Sequence, residues 1–282
     1  MSNCVIRSPL PGELPELHSL WDAVFGSVGK NSFFDCIFSE NLCIVAMVED
    51  RIATAGYLVP AGEIRHGSIS VPCAMIYSVA TLQKYRGMGF GAAVVRELIR
   101  VARTIGFPAV VLCPMNDGLF EFYSKRTGMK DFFYAGERII KGKPAVIRSD
   151  RLEEITADGY LHMRKGLLEG ILHIKHDPGI FEYQGMLCKE LGGGLFRFGD
   201  SCAVVELQQD GAVWVKELLA SDSDIDDFIS AIAAVFPANE YVIRYPSKNG
   251  EGRRFGMLYL QDEIFSDIAK NDPAPWYGMA FD

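Results

Sequence analysis

Six residues constrain the fold more than any others: Arg86-Gly87-Met88-Gly89-Phe90-Gly91, set between an apolar run, Cys73–Thr81, and a helical one. In the helical run Val94, Val95, Leu98, Ile99, Val101 and Ala102 form a wide apolar face. The unit therefore reads as a buried strand, a glycine turn and an amphipathic helix. Glycines let the backbone approach a ligand closely, and the first-turn amides of the helix add donors and the positive end of its dipole. A pyrophosphate suits such a loop, and an ordinary glycine-rich turn is the plain alternative. Gly87-x-Gly89-x-x-Ala92 also fits the dinucleotide fingerprint, which needs an acidic residue about 20 residues later for the ribose. No acid occurs from Phe107 to Asn116, so that reading is set aside.

The flanking pattern is mixed α/β with a central sheet. Leu14–Phe25 has helical apolar spacing after Pro11-Gly12, and Leu42–Val48 and Ile52–Val59 form a hairpin around Glu49-Asp50-Arg51. Gly62–Ser70 reads as a turn or short strand pair. Gly106 and Pro108 end the long helix, and Ala109–Cys113 reads as a buried strand. A short helix around Leu119–Lys125, a stop at Gly128, and strands near Phe132–Gly136 and Ala145–Ile147 complete the first half.

The second half restarts the order. Ser149 or Asp150 can cap a helix bearing Tyr160, Leu161, Met163, Leu167, Leu168, Ile171 and Leu172. Asp210-Gly211 sits between the apolar runs Cys202–Leu207 and Val213–Leu219, a hairpin signal. A helix with Ile225, Phe228, Ile229, Ile232 and Phe236 on one face follows, then strands at Tyr241–Tyr245, Met257–Leu260 and Tyr277–Phe281. The division expected is two domains of similar topology, residues 1–148 and 149–282.

Net charge is −8 and unevenly spread. The first 150 residues carry sixteen Lys and Arg against fourteen Asp and Glu, and the rest carry twelve against twenty-two. A strongly acidic half argues against a nucleic-acid partner. No apolar run has the length of a membrane span, and no basic-then-apolar leader pattern is visible, so no membrane association and a cytoplasmic location are expected. The seven cysteines show no C-x-x-C spacing and read as free thiols.

The run Ser78–Gly91 closely resembles the acetyl-CoA motif of the GNAT acyltransferases, (Q/R)-x-x-G-x-(G/A), here Arg86, Gly89 and Gly91. Downstream, Asn116-Asp117-Gly118-Leu119-Phe120-Glu121-Phe122-Tyr123-Ser124-Lys125-Arg126-Thr127-Gly128-Met129 resembles that family's second segment. The resemblance covers about residues 1–148. It implies two GNAT-like domains in tandem, each a mixed sheet flanked by helices, distantly Eis-like, with a degenerate second domain lacking the motif. It also implies acetyl transfer from acetyl-CoA to a primary amine, on a small molecule or a peptide.

The resemblance assigns roles residue by residue. The backbone of Val79, Ala80 and Thr81 would pair with the pantetheine arm. The loop Arg86, Gly87, Met88, Gly89, Phe90 and Gly91 would hold the pyrophosphate, and Tyr123 would protonate the departing thiolate. Asn116 either binds the cosubstrate or caps its helix. No motif marks a general base: Glu63, His66 and Glu121 read as surface residues. In Eis-like proteins the terminal carboxylate lies in the active site. Here the tail Trp276–Asp282 either docks in that way or, as preferred from its pattern, completes the second sheet as a strand. No metal is expected. His173 and His176 read as the cationic end of a helix, Ser221–Asp227 as an acidic helix start, and Gly192–Gly194 as a turn. A non-catalytic acyl-CoA sensor is the alternative function. The acidic half leaves cationic acceptors such as polyamines in view, and the oligomeric state is unread.

Overall fold

The computed structural model describes residues 4–142, 152–221, 223–247, 252–261 and 274–282. Along the chain run β1 (Cys4–Arg7), α1 (Leu14–Phe25), α2 (Lys30–Cys36), β2 (Cys43–Val48), β3 (Arg51–His66), β4 (Ile69–Thr81), α3 (Phe90–Thr104), β5 (Ala109–Leu112), α4 (Asp117–Thr127) and β6 (Lys130–Lys141). There follow β7 (Glu153–Glu154), α5 (Ala157–Leu167), β8 (His173–His176), α6 (Pro178–Glu190), β9 (Gly194–Phe198), β10 (Ser201–Leu207), β11 (Val213–Leu219), α7 (Ile225–Val235), β12 (Glu240–Pro246) and β13 (Arg253–Leu260). The architecture is mixed α/β, as the sequence implied.

One continuous sheet runs in the order β1-β2-β3-β4-β5-β13-β6-β12-β11-β10-β9-β7, with β8 added to the far end of β3. Its order is symmetric about the β13–β6 pair. On one side the β3–β4 hairpin leads through α3 to β5, parallel to β4. On the other, the β10–β11 hairpin leads through α7 to β12, parallel to β11. The closing strands are exchanged: β13, late in the chain, pairs with β5, while β6 pairs with β12. Each half-sheet is thus completed by a strand from the other half of the sequence.

Burial explains the layers. Val94, Val95, Leu98 and Ile99 of α3 pack on Ile44, Leu58, Ile76 and Val110. Phe228, Ile229 and Ile232 of α7 pack on Val213, Val215 and Ile243. The opposite side of β2–β5 is covered by α1 and α2, in a core that continues into Tyr160 of α5, Phe181 and Tyr183 of α6, and the tail.

Gly62–Ser70 is the strand pair, one of its two readings, the end of β3 at His66 turning into β4 at Ile69. Several expectations are corrected. His173 and His176 lie on a strand and are buried, not on an exposed helix end. The second-half helix begins only at Ala157, with Thr156 accepting from the Gly159 N–H at 3.2 Å, so Ile171 and Leu172 fall beyond its end. Tyr277–Phe281 is not a strand: only Trp276 makes a bridge, to His173, and the tail lies buried as irregular chain. The expected strand at Ala145–Ile147 and cap at Ser149 or Asp150 lie outside the described residues.

Candidate functional site

The site begins where β4 leaves β5. Their parallel pairing runs from Cys73↔Ala109 to Ile76↔Leu112 and goes no further. Immediately beyond, Ser78 adopts φ 48° and the register with β3 shifts by one residue, a β-bulge that bends β4 away from its neighbour. Ala80 and Thr81 still pair with β3, leaving the other edge of Val79–Thr81 without a strand partner among the described residues. Side-chain alternation then places Val79 and Thr81 on the wall of a cavity of about 1910 Å3, while Ala80 is packed into the core.

The glycine loop closes one end of this cavity. Gly87 and Gly89 have φ of 80° and 85°, a conformation that side chains disfavour, and a Cβ on either would meet nothing within 4 Å. Open space above a left-handed backbone is room for a bulky anion. Gly89 caps α3 and its carbonyl accepts from Ala93 N–H at 3.1 Å. The amides of Phe90, Gly91 and Ala92 are the first-turn donors that a helix cannot satisfy internally. Arg86 is tied back by its Nε donating to the Thr81 carbonyl at 3.1 Å. Arg86, Gly87, Met88, Gly89, Phe90 and Gly91 all line the cavity.

The next helix supplies the wall. Asn116 caps α4, its Oδ1 accepting from Leu119 N–H at 3.1 Å, and it lines the cavity as well. Two turns on, Tyr123 is 6% exposed and faces the same space. Burial pushes its phenol up to about 12, so it keeps its proton at neutral pH. Cys113, just past β5, donates to the Phe255 carbonyl at 3.1 Å, and burial pushes its thiol up, away from the thiolate a nucleophile needs.

The far end of the cavity is built by the second half and the tail. The β11–β12 pairing ends at Val215↔Ile243, and the next residues, Lys216 and Arg244, both reach Asp282. Lys216 bonds the main-chain oxygen of Asp282 and Arg244 bonds its side-chain carboxylate. Burial opposes ionisation of Asp282, but Lys216 and Arg244 outweigh it and hold the carboxyl at about 2. Lys216 also pairs with Glu206 at 3.3 Å, and Glu137 pairs with Arg253 at 2.7 Å.

A buried polar knot anchors the tail. Arg164 and Glu217 pair at 2.9 Å, and Glu217 also accepts from the Trp276 indole at 2.6 Å and the Tyr160 hydroxyl at 2.9 Å. Gly278, at φ 80°, passes so close that an added Cβ would lie 2.4 Å from Arg164 Nη2. His176 contacts the Ala61 and Tyr277 carbonyls through its two ring nitrogens.

The structure brings Val79, Thr81, the whole glycine loop, Asn116 and Tyr123 to one cavity. Glu63, His66 and Glu121 do not reach it: Glu63 pairs with Lys175 and Glu121 with Lys125. Sequence reasoning missed Glu137, Glu206, Lys216, Arg244 and Arg253. The available signal was a charge breaking each apolar strand pattern, as in Val205-Glu206-Leu207 and Val215-Lys216. It also missed α6, although Asp177-Pro178 and the spacing of Ile180, Phe181, Gln184, Leu187 and Cys188 mark a helix. The second half has no glycine loop before α7, and Asp224, Asp226 and Asp227 at that helix start would repel phosphate. Among the described residues no cluster of His, Cys, Asp or Glu could hold a metal ion, and no helix is long and apolar enough to cross a membrane.

Residues 14–129 match the model of the acetyltransferase (GNAT) family. Solved structures share the fold over nearly the whole length. A GCN5-related N-acetyltransferase from Kribbella flavida is 16% identical with a TM-score of 0.67, the match covering 92% of this chain and 71% of that one. Another from Anabaena variabilis is 16% identical, with a TM-score of 0.68 and coverage of 92% and 73%. Eis1 from Mycobacterium abscessus is 12% identical, with a TM-score of 0.62 and coverage of 95% and 75%. At these identities the likeness is one of fold. No curated protein matches the sequence.

Proposed function

We propose that the protein moves an acetyl group from acetyl-CoA to a primary amine by direct attack. One observation carries this reading. The edge of Val79–Thr81 that no strand pairs among the described residues, the anion-ready loop Arg86–Gly91 and the protonated phenol of Tyr123 all border a single cavity. In this reading the amides of the loop and of the first turn of α3 bind the pyrophosphate, and the free strand edge hydrogen-bonds the pantetheine amides. Asn116 supports that wall by fixing the start of α4.

The chemistry balances on this chain's groups. The amine nitrogen bonds to the acetyl carbonyl carbon, the carbon–sulfur bond breaks, and the sulfur takes the proton of the Tyr123 hydroxyl. The ammonium loses one proton to water to become the attacking amine, and after attack the nitrogen sheds a second proton to water, from which Tyr123 is restored. Asp282, held ionised at about 2, is too weak a base to take that proton but offers a negative charge to the incoming ammonium. The buried, protonated Tyr123 favours this reading over a non-catalytic acyl-CoA sensor, which needs no acid. We further read residues 1–148 as the acetyltransferase domain and 149–282 as a GNAT-like partner in tandem, supported by the symmetric strand order. The second unit then serves to build the acceptor end.

The test is the release of free thiol when the purified protein meets acetyl-CoA and a panel of amines. At least one amine should raise release well above the rate in water. No rise with any amine removes the reading.

A further inference from the structure

Where β4 and β5 part, the cavity wall takes on two characters. On the β5 side, Cys113 donates to the Phe255 carbonyl, and the Phe255 ring is covered by Arg244 and Arg253. That side leads to a charged wall, where Glu137, Glu206, Lys216 and Arg244 line the cavity together with Asp210 and Glu240. On the β4 side the first residue past the parting is Tyr77, whose ring centroid lies 6.0 Å from Trp21 and 5.3 Å from Phe281. Phe281 and Asp282, adjacent in the chain, mark the division. The Phe281 ring packs on Tyr77 and Tyr183, and the Asp282 carboxylate bonds Arg244.

The Tyr77 branch is apolar along its length. Its wall is made by Trp21, Val24 and Phe25 of α1, Val28 of the following turn, and Tyr183 and Leu187 of α6. Among the described residues of those segments, none that lines the cavity is charged. The hydroxyls of Tyr77 and Tyr183 bond each other, and the Tyr183 hydroxyl also donates to the Gly29 carbonyl at 3.4 Å. The Trp21 indole N–H is closed off from solvent, so the branch presents rings and hydrocarbon. It runs from buried Trp21 to Phe25 and Val28, which are 43% and 40% exposed. An apolar occupant would take that surface out of water.

The proposed donor placement leads directly into this branch. With the pyrophosphate on Arg86–Gly91 and the pantetheine along Val79–Thr81, the thioester comes to Ser78 and Tyr77, at the root of the apolar wall. Resting on that placement, we infer that the protein takes acyl-CoA donors with chains longer than acetyl, the hydrocarbon lying along Tyr77, Trp21 and Val28 while the amine arrives from the charged wall. Acetyl-CoA is then the short member of the series. The step keeps its balance: the nitrogen bonds to the acyl carbonyl carbon, the carbon–sulfur bond breaks, and the sulfur takes the Tyr123 proton.

The test compares donors by calorimetry on the full-length protein, with no amine present. Each methylene that enters the branch should tighten binding by up to about fourfold, so octanoyl-CoA should bind at least about tenfold more tightly than acetyl-CoA. Val28→Asp, at an exposed position, and Val24→Asp, one turn inward, each put a carboxylate against the chain. In whichever variant keeps the wild-type circular dichroism, the ratio of the two affinities should fall at least about threefold. Equal affinities in the wild type, as expected if the branch holds the body of the acceptor instead, overturn the inference, and so does an unchanged ratio in the variants. Equal affinities with amine-dependent thiol release from acetyl-CoA overturn this inference alone. A preference for octanoyl-CoA with no thiol release from either donor leaves it standing and removes the transfer reading.

Discussion

The side-chain carboxylate of Asp282, the last residue, rests on the guanidinium of Arg244 inside the cavity that the glycine loop closes at its other end. Arg244 occupies the first position past the parallel pairing of β11 and β12, the place that Tyr77 and Cys113 occupy past the pairing of β4 and β5. Asp282 thus meets the second half-sheet at the point equivalent to where the first opens.

That contact sets an acid response. The Asp282 carboxyl lies at about 2, below the ordinary aspartate value near 3.9, so its ion pair contributes stability above pH 4 that is lost as pH falls from there through 2. Asp282→Asn should therefore melt below wild type at pH 6, with the gap closing by pH 2. A constant gap across that window would show that Asp282 titrates normally in the folded state. Arg244→Met, which removes the guanidinium but leaves Lys216 beside the carboxylate, should cost about 2 kcal/mol at neutral pH by chemical denaturation.

Tyr123→Phe keeps the ring and its packing but removes the hydroxyl proton. General acid contributions run at about 10²–10⁴-fold, so kcat should fall by that much while acetyl-CoA affinity stays close to wild type. A kcat within about twofold of wild type means that the thiolate takes its proton from water.

Gly89→Val puts a branched side chain at φ 85° and into the open space above the loop. Acetyl-CoA affinity should fall at least tenfold by calorimetry. Gly12→Val separates backbone strain from lost contact, because Gly12 has φ 94° and equally open surroundings but lies outside the cavity. Both variants should lose stability on the order of 1–2 kcal/mol, and only the first should lose affinity. An equal loss of affinity in both removes the loop from the cosubstrate site.

The two buried histidines of β8 give a second pH response of opposite origin. Burial pushes His173 down to about 4 and His176 well below its ordinary value, with Arg164 adding to both. A neutral folded histidine that protonates when unfolded stabilises the fold above about pH 6.5, and this is lost as pH falls through 6.5 towards 4. Melting temperature should drop from pH 7 to pH 5, and less steeply in His173→Gln. Identical slopes would place the His173 ring in contact with solvent.

The glycine-loop end of the cavity was the part most legible in the sequence, because its parts are contiguous. The strand, the bulge region at Ser78, the loop and the first turn of α3 lie within Cys73–Ala92, and α4 follows one short strand later. Local constraints dominate there: φ above zero needs glycine at 87 and 89, and Asn116 caps the helix that carries Tyr123. The opposite, charged end was not legible, since Glu137, Glu206, Lys216 and Arg244 come from four strands and Asp282 from the tail. No spacing joins them, and net charge misled, because most of those acids meet a cation only after folding.

The tail shows the same division. Its apolar residues fit a strand, but among the described residues its pairing stops at the single bridge between Trp276 and His173. Beyond it, Glu217 accepts from the Trp276 indole and His176 from the Met279 N–H. The sequence by itself determined the elements, the glycine turn and the helix that presents Tyr123, since those depend on neighbours within a few turns of chain. Only the tertiary structure decided that β13 would complete the first half-sheet and that Asp282 would end between Lys216 and Arg244. Those outcomes depend on which distant edges and charges are left unsatisfied once the local elements have packed.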